Sequence, residues 1–164
     1  MLHHRPRPFI VRSAREAFYS IYNPLKRLYW FLFHPTLLGA KVLIFHNNKL
    51  LLVRIGYAHR KWVLPGGAVD RGEEVKGAAF RELREESGLV ATSLTHIGTC
   101  FYQKEHKDDT VHYFVGNADN EDITIDNQEI IDAGWFLLDE LPKERMPRVD
   151  EAIEMYNNWK HGKG

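Results

Sequence analysis

Cys100 is the only cysteine in the 164-residue chain. A single thiol excludes an intrachain disulfide, a thiolate zinc cluster and a dithiol redox pair. Set beside Phe101 and Tyr102, it reads as a strand thiol rather than a nucleophile. An excess of one charge is missing too, because 22 Lys and Arg meet 22 Asp and Glu. No global basic field speaks for sequence-specific nucleic-acid binding. Long apolar runs are lacking: the longest charge-free run, Leu28 to Ala40, is 13 residues broken by Pro35, where a membrane span needs about 20. There is no internal repeat and no low-complexity tract. The nine histidines are scattered, none paired at a metal spacing on a predicted helix, and His46, His96 and His112 read as strand residues.

What remains is an ordinary globular composition, 44% apolar and 27% charged, long enough for one domain with a real core. Its neutrality hides an uneven distribution. Residues 1–40 hold Arg5, Arg7, Arg12, Arg15, Lys26 and Arg27 against Glu16 alone, so a basic arm precedes an acidic remainder. The division expected is an extension over 1–39 and a catalytic domain over 40–164. In the extension, Ala14 to Tyr22 reads as a short helix after Ser13, and Leu25 to Phe33 as a second apolar piece carrying Tyr29, Trp30, Phe31 and Phe33. This aromatic belt packs on the domain, meets a second copy in a homodimer, or lies on an anionic membrane surface. The apolar stretch begins too far along for a secretory leader. A cytoplasmic protein is expected, peripheral to a membrane under the third reading.

Along the domain, Ala40 to His46 and Lys49 to Gly56 are β-rich runs joined by Asn47-Asn48, residues that accept positive φ, so they predict a hairpin. Tyr57 to Lys61 is a loop and Trp62-Val63-Leu64 a short strand. Val90 to Gln103 and Thr110 to Val115 read as two strands joined through a charged turn, and Gly134 to Leu138 as the last strand. From Arg148 to Trp159, the spacing of Val149, Ile153, Tyr156 and Trp159 predicts an amphipathic helix.

The stretch from Pro65 to Leu89 names a chemistry. Pro65-Gly66-Gly67 must turn, and lets a ligand approach the backbone. A helix follows over about Glu74 to Ser87, stopped by Gly88. On it Glu82, Glu85 and Glu86 fall within an arc of roughly 100°. Carboxylates that close repel unless a cation lies among them, and hard oxygen donors suit Mg²⁺ or Mn²⁺. Arg81 forks onto carboxylates, so with Glu73 it is the expected brace. A solvated acidic face is the alternative for the glutamates taken alone.

Their spacing decides between these. Gly67, five residues, Glu73, seven residues, Arg81-Glu82-Leu83, one residue, Glu85-Glu86, one residue and Gly88-Leu89 fill nine constrained positions in 23 residues. The chain thus resembles the Nudix hydrolases, which use a divalent cation to split nucleoside diphosphates linked to a further group X. The resemblance spans about residues 40–160 and implies an α/β fold, an α/β/α sandwich around a mixed sheet. Carried over position by position, it implies that Glu82, Glu85 and Glu86 bind Mg²⁺, or Mn²⁺ in its place, with help from the Gly66 carbonyl. It leaves the general base open between a box glutamate and a later acid such as Glu129. Arg54, Tyr57, His59, Trp62 and Gly67 are candidates for substrate contact, although Trp62 beside Val63 also reads as core.

Three departures bear on substrate. There is no Ser-Gln-Pro-Trp array of the nicotinamide-dinucleotide pyrophosphatases, Lys104 stands where ADP-ribose enzymes have proline, and Tyr102 falls short of the tyrosine of dinucleoside polyphosphate enzymes. Elimination leaves a nucleoside triphosphate or a nucleotide sugar. The competing function is a Nudix-fold module that binds or senses a nucleotide without cutting it, tethered to membrane or partner through residues 9–38. Intact Glu82, Glu85 and Glu86 argue for the hydrolase.

Overall fold

The computed structural model describes residues 36–56, 60–104, 107–125 and 129–162. The expected helices of the extension, and the candidates Tyr57 and His59, lie outside the described residues. Eight elements follow in order: β1 (Thr36–His46), β2 (Lys49–Ile55), β3 (Trp62–Val63), α1 (Val75–Ser87), β4 (Ala91–Lys104), β5 (Lys107–Ala118), β6 (Ile130–Leu137) and α2 (Pro147–His161).

Asn47 and Asn48 both take positive φ, 48° and 63°, and close the β1–β2 hairpin. The strands pair only at Phe45–Leu50 and His46–Lys49, then part. From there β1 runs parallel to β5 over Thr36–Phe45, and β5 runs antiparallel to β4. β2 turns instead to β6 along one edge and to β3 along the other, antiparallel to both. The result is one six-stranded mixed sheet of two wings joined at the hairpin.

Strand alternation sends side chains to two cores. Ala40, Val42, Ile44, Leu51 and Phe114 face α1, whose Ala78, Ala79 and Leu83 are fully buried against them. Leu43, Leu50, Leu52 and Tyr113 face α2, which buries Val149 and Ala152. A helix on each face of a mixed sheet is the α/β/α arrangement expected. Several boundaries differ from the sequence reading. β1 begins at Thr36 rather than Ala40 because parallel pairing with β5 gives its first residues partners. β4 and β5 run to Lys104 and Lys107, through residues of turn-like composition, because they pair with each other down to that rung. β6 begins at Ile130, four residues before Gly134, because Ile130 and Asp132 have rungs on β2.

Where β1 and β2 part, β1 has an open edge, and the chain after β3 fills it. Val42 donates its N–H to Pro65 O (2.9 Å), Ala40 to Gly67 O (3.0 Å), and Val69 donates to Leu38 O (2.9 Å). The glycine bend is thereby bonded to the sheet at the end of α1 that carries the glutamates.

Candidate active site

Two glycines make the bend fit. Gly66 has φ +130°, and a side chain there would be driven into the Ala40 carbonyl. At Gly67 a methyl would stand 2.5 Å from the Glu82 carboxylate. The bend and α1 are thus packed directly on each other. Gly66 N–H donates to Glu86 Oε2 (2.8 Å), locking them together.

Arg81 gathers the other carboxylates. It donates to both oxygens of Glu73 (2.9 Å each), to Glu82 Oε1 (2.8 Å), to Glu85 Oε2 (3.2 Å) and to Ala68 O (3.0 Å). The Arg81 guanidinium and the Asp70 amide hold Glu73 down at about 2, well below the usual carboxylate range. Its hydrogen bonds to Glu73 and Glu82 raise Arg81 further above its ordinary value. Brace and bend therefore form one unit: Arg81 ties the helix to Glu73, and Glu73 accepts from Asp70 N–H (3.0 Å) in the loop.

Glu86 lies deeper. Burial pushes its carboxyl up to about 7; Lys41 and the Gly66 amide pull it back, while the charges of Glu82 and Glu129 push it further up. Lys41 enters from the sheet, where Nζ donates to Leu64 O (3.1 Å) and to Gly66 O. Burial lowers its pKa even though Glu86 and Glu82 favour the charged form. Lys41 was not among the sequence candidates. The signal was present, since a lysine at the position before Leu43 and Phe45 on one strand face breaks an otherwise apolar pattern.

Lys41, Gly66 and Glu86 line a cavity of about 150 Å³, walled by apolar side chains such as Val63, Leu64 and Val149 and bordered by Tyr113 and Arg148. Arg148, also missed in sequence, lies over the Tyr102 ring, 3.8 Å from its centroid, and 3.9 Å from the Asp109 carboxylate. Tyr102 OH in turn donates to Glu151 (2.7 Å) and meets Tyr113 OH (3.0 Å).

Other candidates lie apart from this cavity. Arg54 donates to Arg60 O (2.8 Å) and Glu144 Oε2 (3.4 Å), and its guanidinium lies 5.7 Å from the Trp62 ring. Trp62 packs edge-on against Phe136 at 5.0 Å. Neither lines the cavity. Glu129 is exposed, with its backbone carbonyl bonded to Gly56 N–H (2.9 Å), yet near enough for its charge to act on Glu86.

The donor set suits a hard divalent cation: Glu82, Glu85, Glu86 and the Gly66 carbonyl offer oxygen only. Burial raises the Glu86 carboxyl here, and the neighbouring charges of Glu82 and Glu129 add to it. Among the described residues no three His, Cys, Asp or Glu side chains converge on one point. Instead Arg81 holds Glu82 and Glu85, and Lys41 holds the Gly66 carbonyl, so side-chain cations occupy the oxygens an ion would take. The residues fit such an ion once Glu82 and Glu85 exchange Arg81 for it.

Comparison with known proteins agrees with this geometry. The NUDIX domain family model matches residues 35–156. A protein of Bacillus subtilis (strain 168), provisionally named 8-oxo-dGTP diphosphatase, is 31% identical over 120 residues, covering 73% of this chain and 79% of that protein. The oxidized purine nucleoside triphosphate hydrolase of Danio rerio is 31% identical over 107 residues, 64% of this chain and 69% of its own. Among solved structures, the MutT NUDIX hydrolase from Burkholderia pseudomallei superposes with a TM-score of 0.67 at 25% identity, covering 73% of this chain and 97% of that one. A complete box on a glycine bend and glutamate helix, within a matching fold and a family match across most of its length, means that the chain belongs to the Nudix hydrolase family.

Proposed function

We propose that this protein hydrolyses a phosphoanhydride of a nucleoside triphosphate, by attack of water on phosphorus in the presence of Mg²⁺ or Mn²⁺. The observation that carries the reading is the meeting of the glutamate helix with a cavity edged by two cations, Lys41 and Arg148. Ligand sites typically measure about 300–1,000 Å³, so this cavity takes one end of a nucleotide. Its apolar walls suit a base, and its Lys41–Gly66–Glu86 end suits phosphate oxygens. Relatives named for oxidised purine triphosphates and 8-oxo-dGTP favour the triphosphate over a nucleotide sugar.

A divalent ion held by Glu82, Glu85, Glu86 and the Gly66 carbonyl supplies charge neutralisation and a more acidic water. The chain does the rest. Glu73 and Arg81 keep α1 aligned with the bend, and Lys41 and Arg148 draw the anionic ligand in. The proton passes to Glu86 or Glu129, whose charges act on each other.

A phosphate-release screen with Mg²⁺ or Mn²⁺ over nucleoside triphosphates including oxidised purines, nucleotide sugars, dinucleoside polyphosphates and capped RNA tests the proposal. Preference for triphosphates, with the rate lowered roughly 10²–10⁴-fold in Glu85→Gln and Glu86→Gln, is the expected result. Near-normal rates in both variants contradict the metal assignment, and hydrolysis of nucleotide sugars alone overturns the substrate. Glu129→Gln separates the two proton acceptors.

A further inference from the structure

Away from the glutamate helix, three side chains on the β4–β5 ladder converge. His96 Nε2 stands 3.2 Å from His112 Nδ1 and 3.2 Å from Thr99 Oγ1, and Thr99 Oγ1 stands 3.0 Å from His112 Nδ1. Residues 96 and 99 are an odd number of positions apart, so on a regular strand they point to opposite faces. Here they share one because the register of β4 on β5 shifts between His96 and Gly98. A bulge of this kind re-aims side chains. His112 is the cross-strand partner of Thr99, and Phe114 that of His96. The His96 ring is steadied edge-on against Phe114, centroids 5.3 Å apart, and Phe114 is buried.

The Thr99 hydroxyl can donate to one imidazole nitrogen and accept from the other, which leaves the 3.2 Å approach of the two nitrogens to each other without a hydrogen bond of its own. An imidazole nitrogen has one in-plane direction, either an N–H or a lone pair. From each nitrogen the two partners are separated by about 60°, so one direction cannot meet both with the near-linear geometry a hydrogen bond prefers. An ion above the face of the triangle can meet both nitrogens. Two ligands about 2.0 Å from a tetrahedral zinc are about 3.3 Å apart, close to the separations found.

We infer that His96 and His112, with Thr99 beside them, form a binding site for a borderline divalent transition ion of the Zn²⁺, Co²⁺, Ni²⁺ or Cu²⁺ class. The chemistry selects against Mg²⁺ and Ca²⁺, which take oxygen ligands, and for ions that imidazole suits. Burial, then the neighbouring His96, lowers the pKa of His112, which keeps its ring neutral and available near neutral pH. Two imidazoles leave the remaining coordination positions to water, which reaches the exposed His96 and can bond to the Thr99 hydroxyl. The protein thus has two cation sites of different taste, oxygen donors on α1 and nitrogen donors on the sheet.

The test uses the full-length chain with excess Mg²⁺ to fill the oxygen site. Zn²⁺ is titrated calorimetrically, Co²⁺ by its visible absorption and Cu²⁺ by electron paramagnetic resonance. The expected result is a Zn²⁺ equivalent that Mg²⁺ does not displace, weakened at least tenfold in His96→Ala and in His112→Ala. Cu²⁺ then shows splitting from two nitrogens, reduced to one in each variant. Zn²⁺ affinity and Cu²⁺ spectra unchanged in both variants overturn the site. So does wild-type protein that takes up no Zn²⁺ in excess Mg²⁺.

Discussion

Glu86 concentrates the tension of the site, a carboxylate accepting from the Gly66 amide near the half-buried Lys41, yet with its own pKa raised to about 7. Since its folded value exceeds its ordinary 4.5, folding without a divalent ion favours the protonated form. Its contribution to stability is fully present below pH 4.5 and is lost as pH rises through about 7. In chelator, wild-type protein should lose stability between pH 5 and 8, and Glu86→Gln should lose less, by roughly 1–3 kcal/mol. The prediction concerns the slope, because the substitution also removes the carboxylate facing Lys41. Chemical denaturation at several pH values checks it, and parallel slopes contradict it. Gly66 poses the other residue-scale test. Positive φ and the Ala40 carbonyl leave no room for a methyl, so Gly66→Ala should cost about 2–4 kcal/mol. A melting temperature within a degree of wild type would show that the bend relaxes freely.

At the scale of the element, α1 is a rigid bar with two fastenings. Leu83, Ala78 and Ala79 fix its inner face to the sheet, and Arg81 ties its outer face to Glu73. Arg81 also holds Glu82 and Glu85 in the absence of an ion, so its loss has two opposed effects. It frees those glutamates, and it lets the helix drift from the bend. Since oxygen ligands must converge to bind, the second should dominate. Arg81→Ala is expected to raise the Mg²⁺ concentration for half-maximal rate about tenfold, and an unchanged Mg²⁺ dependence contradicts the bracing role. This element was legible in sequence because turn, cap and carboxylate spacing are all local. Gly88 even takes the left-handed φ of 71° that a helix stop needs. The cavity was not legible in the same way. Lys41, Arg148 and Tyr113 come from β1, α2 and β5, and only the tertiary fold brings them to Glu86. Trp62, which the sequence leaves open between base stacking and core, packs edge-on against Phe136 from β3.

For the molecule as a whole, the two-wing sheet explains why the site lies where it does. β1 and β2 part after two rungs, the glycine bend takes the vacated edge, and groups from both sheet faces meet there, Lys41 from the α2 side and Glu86 from α1. Sequence pattern predicts the hairpin through Asn47-Asn48, but nothing local announces the parallel pairing of Thr36–Phe45 with residues 108–117. Nor does it reveal the bulge that brings His96 and Thr99 to one face. Among the described residues, no helix is long and apolar enough to cross a membrane. The most direct test of the account is a crystal of the full chain soaked in Mn²⁺, examined by anomalous scattering. The account predicts a peak within about 2.0–2.4 Å of oxygens of Glu82, Glu85 and Glu86 beside the Gly66 carbonyl, with Arg81 displaced from Glu82 and Glu85. No peak there, with Arg81 still holding both glutamates, would contradict it.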